Sequence, residues 1–198
     1  MLADGLHDVP LGKIATVVTH LEMRAPADIS GRPVPESWTL RRVEKPPLDW
    51  YRRIFQAVGE DWLWFSRRGL SDKALAAIIH SDDVAIWTLS KGDSDAALLE
   101  LDFRTSGECE LAFFGVTADL IGSGAGRFLM DTAIDQAWAR DITRFHVHTC
   151  TLDSPQALGF YRRAGFTPIR QQIEIDDDPR VAKGFDNNLA PHVPLLVP

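Results

Sequence analysis

Cysteine, long apolar runs and excess positive charge are all scarce in this chain of 198 residues. Its two cysteines, Cys109 and Cys150, form no CxxC pair, so we expect buried thiols rather than a disulfide or a metal site. There is no run of about 18 apolar residues and no basic start followed by an apolar core, so we expect a cytoplasmic protein without a membrane partner. A net charge of -7 argues against a nucleic-acid partner.

The apolar content, 45% of the residues, is sufficient for one sizeable core. We therefore expect a single domain over residues 1–175. Residues 176–198 differ in composition, because an acidic run is followed by spaced prolines. They are expected to form an extended tail that is either docked through its apolar residues or mobile.

Hydrophobic periodicity predicts an alternation of strands and helices along the chain. The predicted strands are 14–23, 38–44, 84–90, 96–104, 108–117, 145–150 and 167–175. The predicted helices are 49–58, 70–80 with Ser71 as its cap, a long helix after Gly126 and a helix that begins at Ser154. A proline-containing loop is expected over 25–36.

The most informative stretch is 110–126, ELAFFGVTADLIGSGAG, in which an apolar strand leads into a turn with three glycines. Backbone N–H groups of such a turn can close on a phosphate, and the dipole of the following helix adds to the attraction. The turn is not a P-loop, because Arg127 and Phe128 stand where Lys and Ser or Thr are needed. A dinucleotide fingerprint also fails, because Arg127 or Leu129 occupies the third glycine position.

This stretch resembles motif A of the GNAT superfamily of acetyltransferases, Val-x-Pro-x-x-Arg/Gln-Gly-x-Gly-x-Gly/Ala. Val116 and the three glycines, Gly122, Gly124 and Gly126, match the pattern. It departs from the family where Ala118 replaces the proline and Ile121 replaces the Arg or Gln. Since the family holds the diphosphate mainly with backbone amides, the resemblance implies that binding is weakened rather than lost.

A second stretch, 152–166, resembles motif B of the same superfamily, Asn-x-x-Ala-x-x-x-Tyr-x-x-x-Gly-Phe. Four of its residues match, and Ser154 stands at the asparagine position. The matching residues are Ala157, Tyr161, Gly165 and Phe166. Two motifs in the right order and separation are more specific than either alone.

The resemblance implies the GNAT fold, of class α/β (α+β): a central mixed, mostly antiparallel sheet of six to seven strands flanked by about four helices. It also implies acetyl-CoA (coenzyme A) as cofactor. The cofactor-binding residues that it implies are Phe114, Gly115, Val116, Ile121, Gly122, Ser123, Gly124, Ala125, Gly126, Arg127, Ser154 and Ala157. Arg127 is expected to compensate for the charge missing at Ile121.

Two catalytic residues are expected from the family positions. Tyr161 stands at the position of the general acid that protonates the leaving thiolate. Glu110 stands where histone-type members carry their base, and flanking apolar residues are expected to raise its pKa. The alternatives are that Tyr161 only packs beside Phe160 and that Glu110 is a solvated or structural carboxylate. His148 is either a structural residue or a proton relay.

The acceptor site is expected in the aromatic connector between the first two helices, with Trp62, Trp64 and Arg67 as candidate contacts. The rings would hold an organic cation and the arginine a carboxylate, unless the tryptophans belong to the core. The predicted function is transfer of acetyl to a primary amine of a small molecule or an amino-acid-like acceptor. Protein or peptide N-acetylation and a non-catalytic acyl-CoA-binding regulatory module are the alternatives. The sheet edges leave a homodimer open.

Overall fold

The computed structural model describes residues 3–29, 31, 33–34 and 37–198. In these residues the strands are β1 Lys13–Met23, β2 Thr39–Arg42, β3 Val84–Lys91, β4 Ser94–Asp95, β5 Ala97–Asp102, β6 Glu108–Val116, β7 Arg144–Cys150 and β8 Thr167–Asp177. The helices are α1 Leu48–Gly59, α2 Asp72–Ile79, α3 Ala125–Trp138, α4 Ala157–Arg163 and α5 Pro179–Ala182. The predicted α/β class is confirmed. The predicted loop over 25–36 includes residues 30, 32, 35 and 36, which lie outside the described residues.

The strands form one mixed sheet in the order β2-β3-β5-β6-β7-β1-β8, and β4 pairs with the end of β3. β6 and β7 are parallel, whereas the other neighbours are antiparallel. Pairing between β6 and β7 runs only from Glu108↔Arg144 to Glu110↔His146, although β6 continues to Val116. The sheet therefore opens between its two central strands beyond Glu110.

An apolar core lies on each face of the sheet. On one face, Tyr51 and Phe55 of α1 pack with Leu75 of α2 against Leu98. The other face buries α3 and α4 against residues that include Leu99, Leu111 and Phe145. Because each fully buried side chain of this size contributes about 1.5–3 kcal/mol, the two cores hold both pairs of helices to the sheet.

A β-bulge at Ala112 alters the faces of β6. Leu101 pairs with Leu111 and Glu100 pairs with Phe113, so Ala112 is an extra residue in β6. As a result Phe114 packs into the same core as Leu111, and Phe113 packs into the opposite core. Strict alternation along the strand would have put Glu110 and Phe114 on one face, but the bulge restarts the alternation and separates them.

The segment after β8 docks against the rest of the chain. Asp178 and Arg180 form a buried ion pair of 2.7 Å, and the Arg180 guanidinium also donates to the carbonyls of Leu189 and Val193. Phe185 joins an apolar cluster with Ile14, Leu63 and Leu152. The sequence left open whether the segment after β8 is docked or mobile; in the structure it is docked, and it contains one helical turn, α5. None of the helices in the described part of the chain has the length and apolarity to cross a bilayer.

Candidate active site

A cavity of about 460 Å³ lies in the gap where β6 and β7 separate. Its wall includes Phe160 and Tyr161 from the α3 and α4 face of the sheet. It also includes Val58 and Trp64 from the α1 and α2 face. The cavity therefore passes through the sheet and connects its two sides. Of the predicted cofactor-binding residues, the wall contains Phe114, Gly115, Val116, Ile121, Gly126, Ser154 and Ala157.

The glycine turn faces open space at the start of α3. Gly122 and Gly124 have φ values of 81° and 91°, in the left-handed region that glycine tolerates. A Cβ added at Gly122, Gly124 or Gly126 would meet no atom within 4 Å. In the described chain the N–H groups of these three residues and of Arg127 have no hydrogen-bond acceptor. Unpaired donors at a helix N-terminus are what a phosphate group needs, so the turn fits the diphosphate of coenzyme A.

The side chains next to the turn are engaged with the protein. The Ser123 hydroxyl donates to the Leu120 carbonyl at 2.7 Å and accepts from the Ala125 N–H at 3.2 Å. Arg127 lies 3.1 Å from Asp131 and donates to the Arg163 carbonyl at 3.3 Å. Arg127 is not part of the cavity wall, and its expected compensation for Ile121 stays a prediction.

Tyr161 is both a core residue and a wall of the cavity. Its ring centroid lies 5.8 Å from Phe160 and 6.4 Å from Phe114. Burial, with a smaller contribution from the charge of Asp153, raises the pKa of the Tyr161 hydroxyl above its usual value. The phenol is therefore neutral at physiological pH and retains a proton that it can donate.

The helix that carries Tyr161 begins later than predicted. Ser154 forms a turn in which its hydroxyl accepts from the Gln156 N–H at 3.3 Å, and its carbonyl accepts from the Ala157 N–H at 2.8 Å. Regular helix starts at Ala157, after an N-cap residue without a side-chain bond. The expected helix start at Ser154 is therefore wrong. Gly165 follows the helix with a φ of 106°, in the left-handed region in which a glycine commonly ends a helix.

Glu110 and His148 form a pair at the point where β6 and β7 separate. Oε1 of Glu110 lies 3.5 Å from Nδ1 of His148. The contact with Glu110 raises the pKa of His148, and the contact with His148 lowers the pKa of Glu110. The expected rise in the Glu110 pKa is therefore wrong, because a histidine on the neighbouring strand, rather than the apolar flanks, dominates. His148 lines the cavity, while Glu110 stands outside its wall.

The two candidate tryptophans both reach the cavity. Trp64 also packs on Phe55 and Phe113, with ring centroids 5.4 and 5.2 Å away. Its indole Nε1 lies 3.5 Å from Oδ1 of Asp153. Trp62 lies 6.5 Å from the ring of His192 in the docked tail. Trp64 is therefore shared between core and cavity, and Trp62 stands where the tail meets the site.

Arg67 lies away from the cavity wall, unlike the two tryptophans. Its Nη2 donates to Oε1 of Glu100 at 2.6 Å, and the Tyr51 hydroxyl donates to the other carboxylate oxygen. Glu100 is fully buried at the centre of β5. Arg67 was expected to contact a substrate. In the structure its charge instead compensates the buried carboxylate of Glu100.

Three acidic residues of the cavity were not predicted from the sequence: Asp153, Glu174 and Asp176. Oδ2 of Asp153 accepts from the Thr149 hydroxyl at 2.6 Å and from the Cys150 N–H at 3.0 Å. Glu174 and Asp176 are two residues apart in β8 and so share one face of the strand. The only feature of the sequence that could have indicated Glu174 and Asp176 is the acidic run around residue 176, which begins in the last strand and not in the tail.

A mixed sheet that opens between parallel central strands, beside a glycine turn at a helix N-terminus, defines an acetyltransferase-type fold. The family described as Acetyltransferase (GNAT) family matches residues 47–166, more than half of the chain. The chain belongs to this family, as the two motifs indicated. None of the curated proteins matches the sequence.

Several solved structures share the fold at low sequence identity. A GCN5-related N-acetyltransferase from Sphaerobacter thermophilus is 16% identical with a TM-score of 0.63, over 82% of this chain and 52% of that protein. An aminoglycoside acetyltransferase from an uncultured soil metagenomic sample is 15% identical with a TM-score of 0.53, over 70% of this chain and 93% of that protein. A GNAT family protein from Streptococcus pneumoniae is 18% identical with a TM-score of 0.50, over 66% of this chain and 87% of that protein. The chain thus spans only about half of the Sphaerobacter protein.

Proposed function

We propose that the protein transfers the acetyl group of acetyl-CoA to the primary amine of a small cationic or amino-acid-like acceptor. The observation that supports this most directly is the cavity through the sheet. It joins the region of Ile121 and Gly126, at the glycine turn, to an acidic region formed by Asp153, Glu174 and Asp176. When bound, acetyl-CoA supplies an activated thioester.

Cofactor binding would use main-chain groups of the turn and of β6. The unpaired N–H groups of Gly122, Gly124 and Gly126 would hold the diphosphate. Beyond Glu110, β6 has no ladder partner in β7, so its edge from 112 to 116 faces the gap. That edge is suited to hydrogen-bond the extended, amide-containing arm of the cofactor as an added strand would.

The proton transfers would be assigned to two side chains at the cavity. His148, backed by the carboxylate of Glu110, would accept a proton from the incoming ammonium group. Tyr161, neutral because of its raised pKa, would give a proton to the departing thiolate and would regain one from the acceptor nitrogen, which loses its second proton as the amide forms. In this scheme His148 is the base and Glu110 acts through it, whereas the sequence led us to expect that the Glu110 carboxylate takes the proton itself.

The charge of the acceptor region favours a cationic substrate. Asp153, Glu174 and Asp176 place carboxylates at the wall, and the rings of Trp62 and Phe65 also line the cavity. A cluster of carboxylates attracts an ammonium group, and an aromatic face adds a cation–π interaction. The soil aminoglycoside acetyltransferase shares the fold, so an aminoglycoside belongs among the acceptors to be tested.

The test is release of free thiol from acetyl-CoA in the presence of small amines, amino acids, an aminoglycoside and basic peptides. We expect the highest kcat/KM with small cationic primary amines. Highest activity with basic peptides would favour protein acetylation. Coenzyme A binding without thiol release for any acceptor would favour the regulatory module, and no binding in calorimetry would refute the proposal.

The tyrosines provide a matched pair of variants, since the chain has only two. Tyr161→Phe is expected to bind acetyl-CoA normally while kcat falls by about 10²–10⁴-fold, the usual contribution of a general acid. Tyr51→Phe removes the other phenol, which bonds Glu100 outside the cavity, so it should lower stability and leave kcat unchanged. Equal kcat for the Tyr161→Phe variant and the wild type would rule out Tyr161 as the acid.

A further inference from the structure

The outer edge of β8 is long and exposed. β8 is the last strand of the sheet and pairs only with β1 among the described strands. Ten of its eleven residues are exposed, including Ile169, Ile173 and Ile175 at 47%, 53% and 53%. Because an exposed edge presents unpaired N–H and C=O groups, an apolar edge strand of this length is a template for another strand.

The sequence of β8 is complementary to itself about Gln172. If two copies of the strand pair antiparallel with Gln172 opposite Gln172, Arg170 faces Glu174 and Gln171 faces Ile173. Ile169 is the extra residue of a β-bulge, so the regular register ends at Arg170. The two-fold symmetry makes the charge pair twice, and opposite charges directly across a pair stabilise a ladder. A register centred on Gln171 would instead put Pro168 opposite Glu174 and lose the charge pairs.

The faces of the sheet also agree with this register. Arg170, Gln172 and Glu174 oppose His20, Val18 and Thr16 of β1, so they lie on one face. Ile173 and Ile175 lie on the other. A two-fold axis perpendicular to the sheet keeps each face continuous between the copies. Arg170 and Glu174 of the two copies therefore meet on one face, and Ile173 and Ile175 of both copies lie together on the other face.

We propose that a second copy of this chain pairs with β8, antiparallel and centred on Gln172, so that the two sheets form one continuous sheet in a homodimer. The pairing does not depend on the proposed function. It has a consequence for the site, because Glu174 also lines the cavity. Arg170 of the second copy would lie beside the acceptor region and leave Asp153 and Asp176 as its uncompensated carboxylates.

Charge reversal tests the register through the oligomeric state. Sedimentation velocity over a range of concentrations would give the dimer Kd for the wild type, Arg170→Glu, Glu174→Arg and the double variant. Each single variant places like charges opposite each other twice, so we expect Kd to increase about tenfold or more. The double variant restores opposite charges and should return Kd to within about threefold of the wild type.

Lys73→Glu is the matched control, since it changes the net charge as Arg170→Glu does but lies exposed on α2. It should leave the dimer Kd unchanged. Circular dichroism on every variant confirms that the fold is retained. A wild type that stays monomeric at all concentrations, or single variants that dimerise as tightly as the wild type, would overturn the proposal.

Cysteine cross-linking provides a second measurement that does not depend on charge. In Gln172→Cys the two new thiols would face each other with Cα atoms about 4.5–5.5 Å apart, within the range for a disulfide. Gln171→Cys would face Ile173 instead. Under mild oxidation we expect a covalent dimer for Gln172→Cys only, above the background of the wild-type Cys109 and Cys150. Equal cross-linking of the two variants would contradict the register.

Discussion

Replacing Arg67 with methionine tests whether this arginine stabilises the fold or binds the acceptor. The substitution keeps most of the side-chain volume but removes the charge that lies 2.6 Å from Glu100. Glu100 has no exposed surface, and the Arg67 side chain is only 14% exposed, so solvent screens the pair weakly. Removing one partner of a buried ion pair costs about 3–5 kcal/mol, because the remaining charge is uncompensated. For a chain of this size that lowers Tm by roughly 6–20 °C.

The loss of stability should depend on pH in a defined direction. Burial already raises the pKa of Glu100, and Arg67 and Tyr51 oppose that rise. Without Arg67 the pKa of Glu100 rises further in the folded state. A carboxyl group whose pKa is higher in the folded than in the unfolded chain destabilises the fold when it is ionised, and protonation relieves the cost. The variant should therefore lose more stability at pH 8 than at pH 5, relative to the wild type.

Denaturant unfolding at both pH values, with acceptor kinetics at a temperature where the variant is folded, measures both effects. Arg68→Met is a matched control, because Arg68 pairs with a partly exposed Glu60 at 3.1 Å. We expect it to cost about 1 kcal/mol or less. Wild-type stability together with an increased acceptor KM in the Arg67→Met variant would show that the arginine contacts the substrate and would refute this reasoning.

Two further substitutions test the two sides of the site. Gly126→Glu places a carboxylate on the open face of the turn, at a position without a positive φ, so stability should stay equal or increase while the calorimetric Kd for acetyl-CoA increases about tenfold or more. An unchanged Kd would mean that the cofactor does not bind there. Glu110→Gln removes the carboxylate that raises the pKa of His148. The acidic limb of the pH profile of kcat/KM should therefore move to lower pH. If the acidic limb stays at the wild-type pH, a residue other than His148 is the base.

Features set by short stretches of sequence could be predicted well. Ser71 caps α2 as expected, with its hydroxyl accepting from the Ala74 N–H at 3.3 Å. The glycine turn and the start of α3 also follow from local rules, because positive φ values favour glycine whatever surrounds them. The fold class followed from the resemblance of two such stretches, 110–126 and 152–166, to the motifs of the family.

Features that depend on pairing between distant segments could not be predicted. The bulge at Ala112 adds one residue to β6 without any change in composition, and it moves Phe114 to the other face. The contact of His148 with Glu110 depends on how β7 aligns with β6. The contact of Arg67 with Glu100 joins positions 33 residues apart. In each case the partner is chosen by tertiary packing, on which local periodicity carries no information.

The residues that line the cavity come partly from the stretch that matches the family and partly from outside it. The glycine turn and Tyr161 lie within residues 47–166, the stretch that matches the family. Glu174 and Asp176 lie outside it, on β8, which is held in the sheet by β1 from the other end of the chain. β1 also places His20 next to His148, with ring centroids 5.9 Å apart. The elements suited to bind the cofactor are thus the ones shared with the family, whereas two of the three cavity carboxylates come from segments beyond the match. Acceptor choice should accordingly change with substitutions in β1 and β8 that leave cofactor binding intact.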